Sequence, residues 1–345
     1  MPGVVVAGVG SLMTAAGPVA LTAAAGITSL PPDVDPGEAL RRCAVALASA
    51  EAAGASVVHR YDDAVRIQRD RSDALRSDLD GAVARGELRL VFQPVVDLVL
   101  HHTVSVEALL RWRHPVFGDV PPVEFVPLAE QSPLIGELGR WVLREACTTV
   151  AALADTDLSV AVNVSARQVR SGELVADVLA ALSASGLPPS RLTVEITESV
   201  LMDDTHVIED LTVLRQLGVR IAVDDFGTGW SSLAYLVGLP IDVLKMDQHF
   251  VSDVERDAQR QALCRAVLQL GASLGLPVIV EGVTTEGELA LLRDMGHRYL
   301  QGYVFSRPLE ADSLAAGAWR TGIALPPGTP APGAEVSGSA AVGAP

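Results

Sequence analysis

Five carboxylates of this chain recur in one kind of place. Glu107, Glu195, Asp224, Asp225 and Glu281 each stand at, or just after, the end of a short run of β-branched and apolar residues. Asn163, Lys245, Asp247 and Gln301 hold the same kind of position on other runs. A single polar residue there can simply mark where a strand meets a loop. Seven consecutive strand ends carrying carboxylates, amides or a lysine form a pattern. Carboxylates brought together repel one another and hold their protons more tightly. Hard divalent cations relieve that repulsion, and an all-oxygen donor set with an amide suits Mg2+ or Mn2+. Adjacent aspartates can serve two ions, and a pair ~3.5–4 Å apart polarises a phosphate and activates water. The chemistry indicated is metal-dependent phosphoester hydrolysis. Lys245 reads either as a counter-ion or water-orienting group within this set, or as the partner of an ordinary salt bridge to Asp247.

The elements that must position these residues follow from periodicity. Strand-like runs fall at 88–95, 103–109, 160–164, 192–196, 220–223, 243–246, 277–280 and 299–304. Segments such as 135–153, 207–217 and 259–274 carry apolar residues at helical spacing between them. The first two runs are too close for a crossover helix and predict an antiparallel hairpin. The others alternate with helices, as in a parallel sheet with right-handed crossovers. Residues 87–320 therefore read as an α/β domain, a (β/α)8 TIM-like barrel with one antiparallel strand. Such barrels carry their active sites at the C-terminal strand ends. A small αβ fragment precedes it in residues 1–65, with a strand at 19–27, a helix at 36–53 and a strand at 56–58. Ile67, Leu75, Leu79 and Val83, followed by Gly86, predict a linker helix over 66–86. The Pro-, Gly- and Ala-rich segment 321–345 reads as a disordered tail.

Composition narrows the function. Of the 345 residues 49% are hydrophobic and 20% charged, enough for a large core. The net charge of −16 argues against a basic surface for a nucleic acid polymer. Among 26 basic residues one is a lysine, Lys245, which points to a place where an ammonium fits and a guanidinium does not. Cys43, Cys147 and Cys264 show no CxxC spacing and suit a reducing, cytoplasmic setting. Residues 1–32 are uncharged, so no basic region marks a signal peptide. Gly8, Gly10, Gly17, Pro18 and Gly26 interrupt any membrane span there; buried strands, or a small helix with a strand, are the expectation, with no membrane contact by the barrel. Aromatic residues at 4% are few for a glycosidase, and neither a GxSxG elbow nor a Walker A loop occurs.

The longer motifs carry a family resemblance. Glu107-Ala108-Leu109-Leu110-Arg111 with Trp112-Arg113-His114-Pro115, Phe92-Gln93-Pro94 and Asn163-Val164-Ser165-Ala166-Arg167 are in order. Glu195-Ile196-Thr197-Glu198-Ser199, Asp224-Asp225-Phe226-Gly227, Leu244-Lys245-Met246-Asp247, Glu281-Gly282-Val283 and Gln301-Gly302-Tyr303 follow. Residues 88–309 resemble an EAL domain, the family of cyclic di-GMP phosphodiesterases. The tripeptide alone says little, because Glu38-Ala39-Leu40 repeats it far from any acidic cluster. The resemblance implies hydrolysis of cyclic di-GMP to linear pGpG with two Mg2+ or Mn2+ ions. Glu107, Asn163, Glu195 and Asp224 would hold one ion, and Asp224, Asp225 and Glu281 the other. Lys245 and Gln301 would position water, with Glu281 as general base. Gln93, Arg111, Asp247 and the Leu109 backbone would bind substrate. Glu198 and Thr197 would anchor the loop 225–232, which couples the site to a homodimer interface. The family's second glutamate after Glu281 is here Thr284, with Glu286 beyond it, which opens the alternative of a catalytically weak cyclic di-GMP receptor. Trp230 replaces the usual tyrosine.

Residues 18–65 resemble the C-terminal part of a GGDEF domain through Ala25-Gly26-Ile27, Ala39-Leu40-Arg41-Arg42 and Ala52-Ala53-Gly54. No GG[DE]EF signature occurs, so cyclase activity is not expected. An incomplete domain exposes apolar surface. Limited proteolysis is therefore expected to cut residues 1–75 before the barrel; equal resistance of the two parts contradicts this.

Overall fold

The computed structural model describes residues 10–14, 17–21, 23–29, 35–53, 57–61, 63–153, 156–202, 205–227, 236 and 238–321. It divides into two compact units, Met1–Asp80 and Gly81–Pro345. In the first, β1 (Gly10–Thr14) and β2 (Gly17–Leu21) pair antiparallel. Next, β3 (Ala25–Ile27), α1 (Pro36–Ala52) and β4 (Val58–Arg60) form a βαβ unit whose strands pair parallel. Asp35 caps α1 by accepting from the Glu38 amide at 3.2 Å. Gly26 lets β3 lie against that helix, since a Cβ there would meet the Leu47 amide nitrogen at 2.2 Å. The strand expected at 19–27 is thus two strands serving two sheets, and the strand expected at 56–58 runs later. α2 (Asp63–Leu79) starts earlier and ends sooner than the 66–86 expectation. Residues 80–86 turn instead, with Gly81 at φ 75° and Gly86 at φ 68°. The tail from 322 onward lies outside the described residues.

The second unit is built around a closed barrel. β5 (Leu88–Asp97) and β6 (His102–His114) form the expected hairpin, and β7 (Gly118–Val120) folds back on β6. Helices α3 (Pro122–Glu130) and α4 (Leu134–Ala151) lead to β8 (Ser159–Asn163). Then come α5 (Ala166–Val169), α6 (Leu174–Ser185), β9 (Leu192–Thr197), α7 (Thr205–Gln216), β10 (Arg220–Phe226) and β11 (Val243–Met246). The circuit finishes with α8 (Ala258–Leu274), β12 (Val278–Val280), α9 (Glu286–Asp294), β13 (Tyr299–Gln301), β14 (Leu309–Glu310), α10 (Ala311–Ala315) and α11 (Ala318–Thr321). Strands β6, β8, β9, β10, β11, β12 and β13 are neighbours in that order and parallel. β5 closes the ring by pairing antiparallel with both β6 and β13. This is the (β/α)8-type barrel with one antiparallel strand.

Alternation along the strands sets the two faces. Val160, Val162, Val194, Ile196, Ile221 and Val223 are buried in the core between strands and helices. On α4, Ile135, Leu138, Val142 and Ala146 recur at helical spacing and are buried. Among the described residues no helix is long and apolar enough to cross a membrane.

The last barrel strand ends at Gln301, three residues short of the end of the run expected at 299–304, because the chain turns over Val283. A Cβ on Gly302 would lie 2.0 Å from the Val283 carbonyl oxygen and 2.4 Å from its nitrogen. Gly302→Ala is expected to lower stability by about 1–3 kcal/mol through overpacking, seen in the denaturation midpoint. Gly296→Ala, where a Cβ meets nothing within 4 Å but φ is 76°, is expected to cost only about 1 kcal/mol.

Candidate active site

The polar residues expected at strand ends converge on the Lys245 ammonium, although Glu107 stands in the middle of β6, which continues to His114. Lys245 stands near the end of β11 with 1% of its side chain exposed. Its Nζ lies 2.6 Å from Glu281, 2.8 Å from Glu195, 3.1 Å from Asp224 and 3.4 Å from Glu107. Asp247 is not among its partners, so the simple salt-bridge reading of the lysine fails. Glu107 accepts from Asn163 Nδ2 on one oxygen and from Gln301 Nε2 on the other, both at 2.7 Å. Six of the residues singled out from sequence thus join one cluster with the lysine at its centre.

Charge in this cluster is shared unequally. Burial works against the ammonium, but Glu107, Glu195, Glu281 and Asp224 outweigh it and hold the Lys245 pKa well above its usual value. Burial also raises the carboxylates. In Glu107 the lysine and the two amides more than reverse this, and its pKa ends below the usual value. In Glu195 burial and the neighbouring carboxylates win over the lysine, and the group is pushed well up. Glu281 rises to about 8 for the same reason, burial first, despite Lys245. One ammonium cannot neutralise four carboxylates, two of them buried, which leaves demand for further positive charge.

The adjacent aspartates are aimed by a bulge. Val223 pairs with Leu244 and Phe226 with Met246, so Asp224 and Asp225 together face the single residue Lys245. Asp225 takes φ 53°, in the left-handed region that aspartate tolerates better than most residues. Asp224 turns to the lysine, while the Asp225 carboxyl shares a hydrogen bond with Asp247. Burial first, then Asp224 and Asp247, raise the Asp225 pKa. Asp247 also accepts from the His249 amide at 2.8 Å and contacts that imidazole.

The donors fit a hard cation. One carboxylate oxygen from each of Glu107, Glu195 and Asp224 lies within 4.8 Å of the others. Glu281 Oε1 meets Lys245 at 2.6 Å and has no further donor among the described residues, so acceptor capacity remains. Asp225 and Glu281 do not join the three in a comparably close set. Three of the four residues expected around a first ion thus lie close together, while those expected around a second are more spread out.

The remaining candidates lie around this cluster. Gln93, which faces Glu107 across the β5–β6 ladder, donates to the Ser306 carbonyl at 2.7 Å. Leu109 and Arg111 line a 270 Å3 cavity with Asn163 and Thr197 beside β6 and α4. Burial lowers the Arg111 pKa, and its Nη1 donates to the Leu110 carbonyl at 2.8 Å. Buried Glu198 accepts from the Gly227 amide at 3.1 Å, and Thr197 bonds the Ser199 hydroxyl. Of the loop 225–232, residues 228–232 with Trp230 lie outside the described residues.

Glu288 escaped the sequence reading. Thr284 donates to it from its amide at 2.8 Å and its hydroxyl at 3.2 Å, and Thr285 completes a capping box with it. The signal is present as Thr285-x-x-Glu288. Glu286, by contrast, has no part in holding Thr284. Removing the cluster's cation gives the sharpest check of these electrostatics. Lys245→Met is expected to destabilise the metal-free chain by about 3–5 kcal/mol, read from chemical denaturation, because buried carboxylates lose their partner. Added Mn2+ should restore part of that loss.

Residues 76–308 match the EAL domain family. The chain is 40% identical over 328 residues to a signalling protein of Caulobacter vibrioides, covering 93% of this chain and 39% of that one. It is 42% identical over 248 residues to MucR of Pseudomonas aeruginosa, described as a bifunctional diguanylate cyclase/cyclic di-GMP phosphodiesterase, covering 70% of this chain and 36% of MucR. The structure of the MucR phosphodiesterase in complex with c-di-GMP superposes with a TM-score of 0.67 at 41% identity, over 70% of this chain and 99% of that one. The chain spans less than half the length of these curated relatives. With its barrel closed by an antiparallel strand and its acids gathered on the strand ends, the chain belongs to the EAL domain family.

Proposed function

We propose that this chain hydrolyses cyclic di-GMP to linear pGpG with the help of divalent cations, Mg2+ or Mn2+, two per site. The observation that carries the reading is the cluster of Glu107, Asn163, Glu195 and Asp224 on neighbouring strands around a buried lysine, in a member of the EAL family. Those four residues would hold the first ion; Asp224, Asp225 and Glu281 would hold the second. Bound there, the ions supply Lewis acidity toward a phosphate oxygen and lower the pKa of water.

The chain's own groups do the rest. Gln301 fixes Glu107 through its amide, so that this carboxylate keeps one orientation. Glu281, which meets Lys245 at 2.6 Å, would take the proton from the attacking water. Lys245 holds Glu195, Glu281 and Asp224 in place and keeps a positive charge beside the scissile phosphate. Arg111, the Leu109 backbone, Gln93 and Asp247 would bind the substrate. Glu198, through the Gly227 amide, and Thr197 would hold the loop 225–232, through which a homodimer would form. Residues 1–65 would be a degenerate GGDEF-like fragment, and the protein cytoplasmic.

The test is incubation with cyclic di-GMP and Mn2+, followed by detection of pGpG. Glu107→Ala is expected to abolish hydrolysis, and Lys245→Arg to lower kcat while leaving metal binding largely intact. Thr284, which holds Glu288 in place of offering a carboxylate, favours the second reading of a weakly active receptor. Cyclic di-GMP binding without turnover decides for that reading against the enzyme.

A further inference from the structure

The lumen below the carboxylate layer is not filled. Eight-stranded parallel barrels normally pack this space with layers of branched apolar side chains. Here Ser105, Ala161, Thr193 and Ala222 stand one lumen step before the residues of the cluster, and a cavity of about 220 Å3 opens among them. That is room for roughly seven waters at ~30 Å3 each. Val95, Val104, Val243 and Ile279 give it an apolar wall. It reaches up to Glu195 and down to Arg220, Arg298 and Tyr299 at the N-terminal end of the strands. From Arg220 to Asp224 the distance along β10 is about 13 Å at 3.3 Å per residue.

The polar groups around this cavity do not balance. Asp97 accepts from the amides of Val99 and Leu100 and from both Nε and Nη2 of Arg298, at 2.7–3.1 Å. Glu195 is held by Lys245. The Ser105 and Ser159 hydroxyls donate to the carbonyls of Ser159 and Val104. Arg220 differs, because its Nε is buried with no hydrogen-bond partner and its guanidinium has no ion pair among the described residues. Asp242, the acid that acts on it electrostatically, is bonded at 2.8 Å to Arg215 and at 3.0 Å to the Ile221 amide. The hydroxyls of Thr193 and Tyr299 likewise make no hydrogen bond among the described residues. Unspent donors and one uncompensated cation thus share a cavity that is otherwise apolar. Burial lowers the Arg220 pKa, as desolvation without a close anion should.

We propose that this cavity is a second ligand site, which takes a small monocarboxylate with its head group on Arg220 and a compact apolar body against Val95, Val243 and Ile279. A planar carboxylate matches the guanidinium fork, and a cation with no ion pair among the described residues suits a single negative charge. Glu195 is the shared wall, so an occupant abuts a residue of the cluster above. The site does not depend on the phosphodiesterase reading, and its test reads binding alone.

Benzoate is the probe, titrated into the full chain by calorimetry beside toluene and inorganic phosphate. Saturable benzoate binding is expected, at least tenfold weaker in Arg220→Met. It should be lost in Ala222→Leu, which fills the cavity and leaves the guanidinium in place. Arg220→Lys should keep part of the affinity. Absence of benzoate binding to the unaltered chain overturns the proposal. So does toluene or phosphate binding as tightly as benzoate, or benzoate affinity unchanged in Ala222→Leu. If Arg220→Met does not fold, the three probes on the unaltered chain and the Ala222→Leu variant decide the matter.

Discussion

One buried ammonium among four carboxylates is the interaction on which the rest of this barrel depends. Moving a charge of that kind out of water costs several kcal/mol even after the protein relaxes. The cost is offset only if the opposite charges are close and correctly aimed. Lys245 meets four carboxylates within 3.4 Å, drawn from β6, β9, β10 and the residue after β12. Each must therefore arrive at the same height in the lumen, and strand register becomes an electrostatic requirement as well as a packing one.

The fold meets that requirement with two local departures from regularity. The bulge in β10 inserts one residue opposite Lys245, which sends Asp224 to the lysine and Asp225 to Asp247. Without it the pair would alternate in and out of the lumen, and the acids could not serve two positions on one side. The second departure is the reversed β5. By pairing antiparallel with both β6 and β13, it closes the ring between Glu107 and Gln301. Those residues then lie close enough for the 2.7 Å bond that orients the glutamate.

Most of this site is legible in the sequence, because strand ends announce themselves by residue type. Glu107, Asn163, Glu195, Asp224, Glu281 and Gln301 each follow a β-branched run, and period-two alternation places them on the lumen face. What stays hidden depends on distance in the chain or on absence of volume. Nothing local to Asp247 says that it meets Asp225 and His249 in place of Lys245. The contact of Gln93 with Ser306 spans more than two hundred residues. The lumen cavity is also invisible as a run, since Ala161 and Ala222 are ordinary strand residues until the closed ring brings them to one cavity. Glu288 is the case where the signal was available: its capping box sits in the sequence, yet attention goes to Glu286, the nearer acid.

The skewed basic composition acquires a physical reason in this frame. Elsewhere arginine supplies several N–H donors from one planar group. Arg298 grips Asp97 through two nitrogens, Arg191 reaches the carbonyls of Leu158 and Val150, and Arg260 joins those of His249 and Ser252. A fork is wrong for the barrel centre, where acceptors surround the cation instead of lying in one plane. An ammonium offers three donors around a small sphere, and four oxygens at 2.6–3.4 Å use that shape. The one lysine among 26 basic residues thus stands where the acceptors surround a compact charge. The same reasoning explains why Arg220, at the other end of β10, is left with Nε unspent. Among the described residues no carboxylate forms an ion pair with its guanidinium, and the small residues around it leave room for one to come from outside.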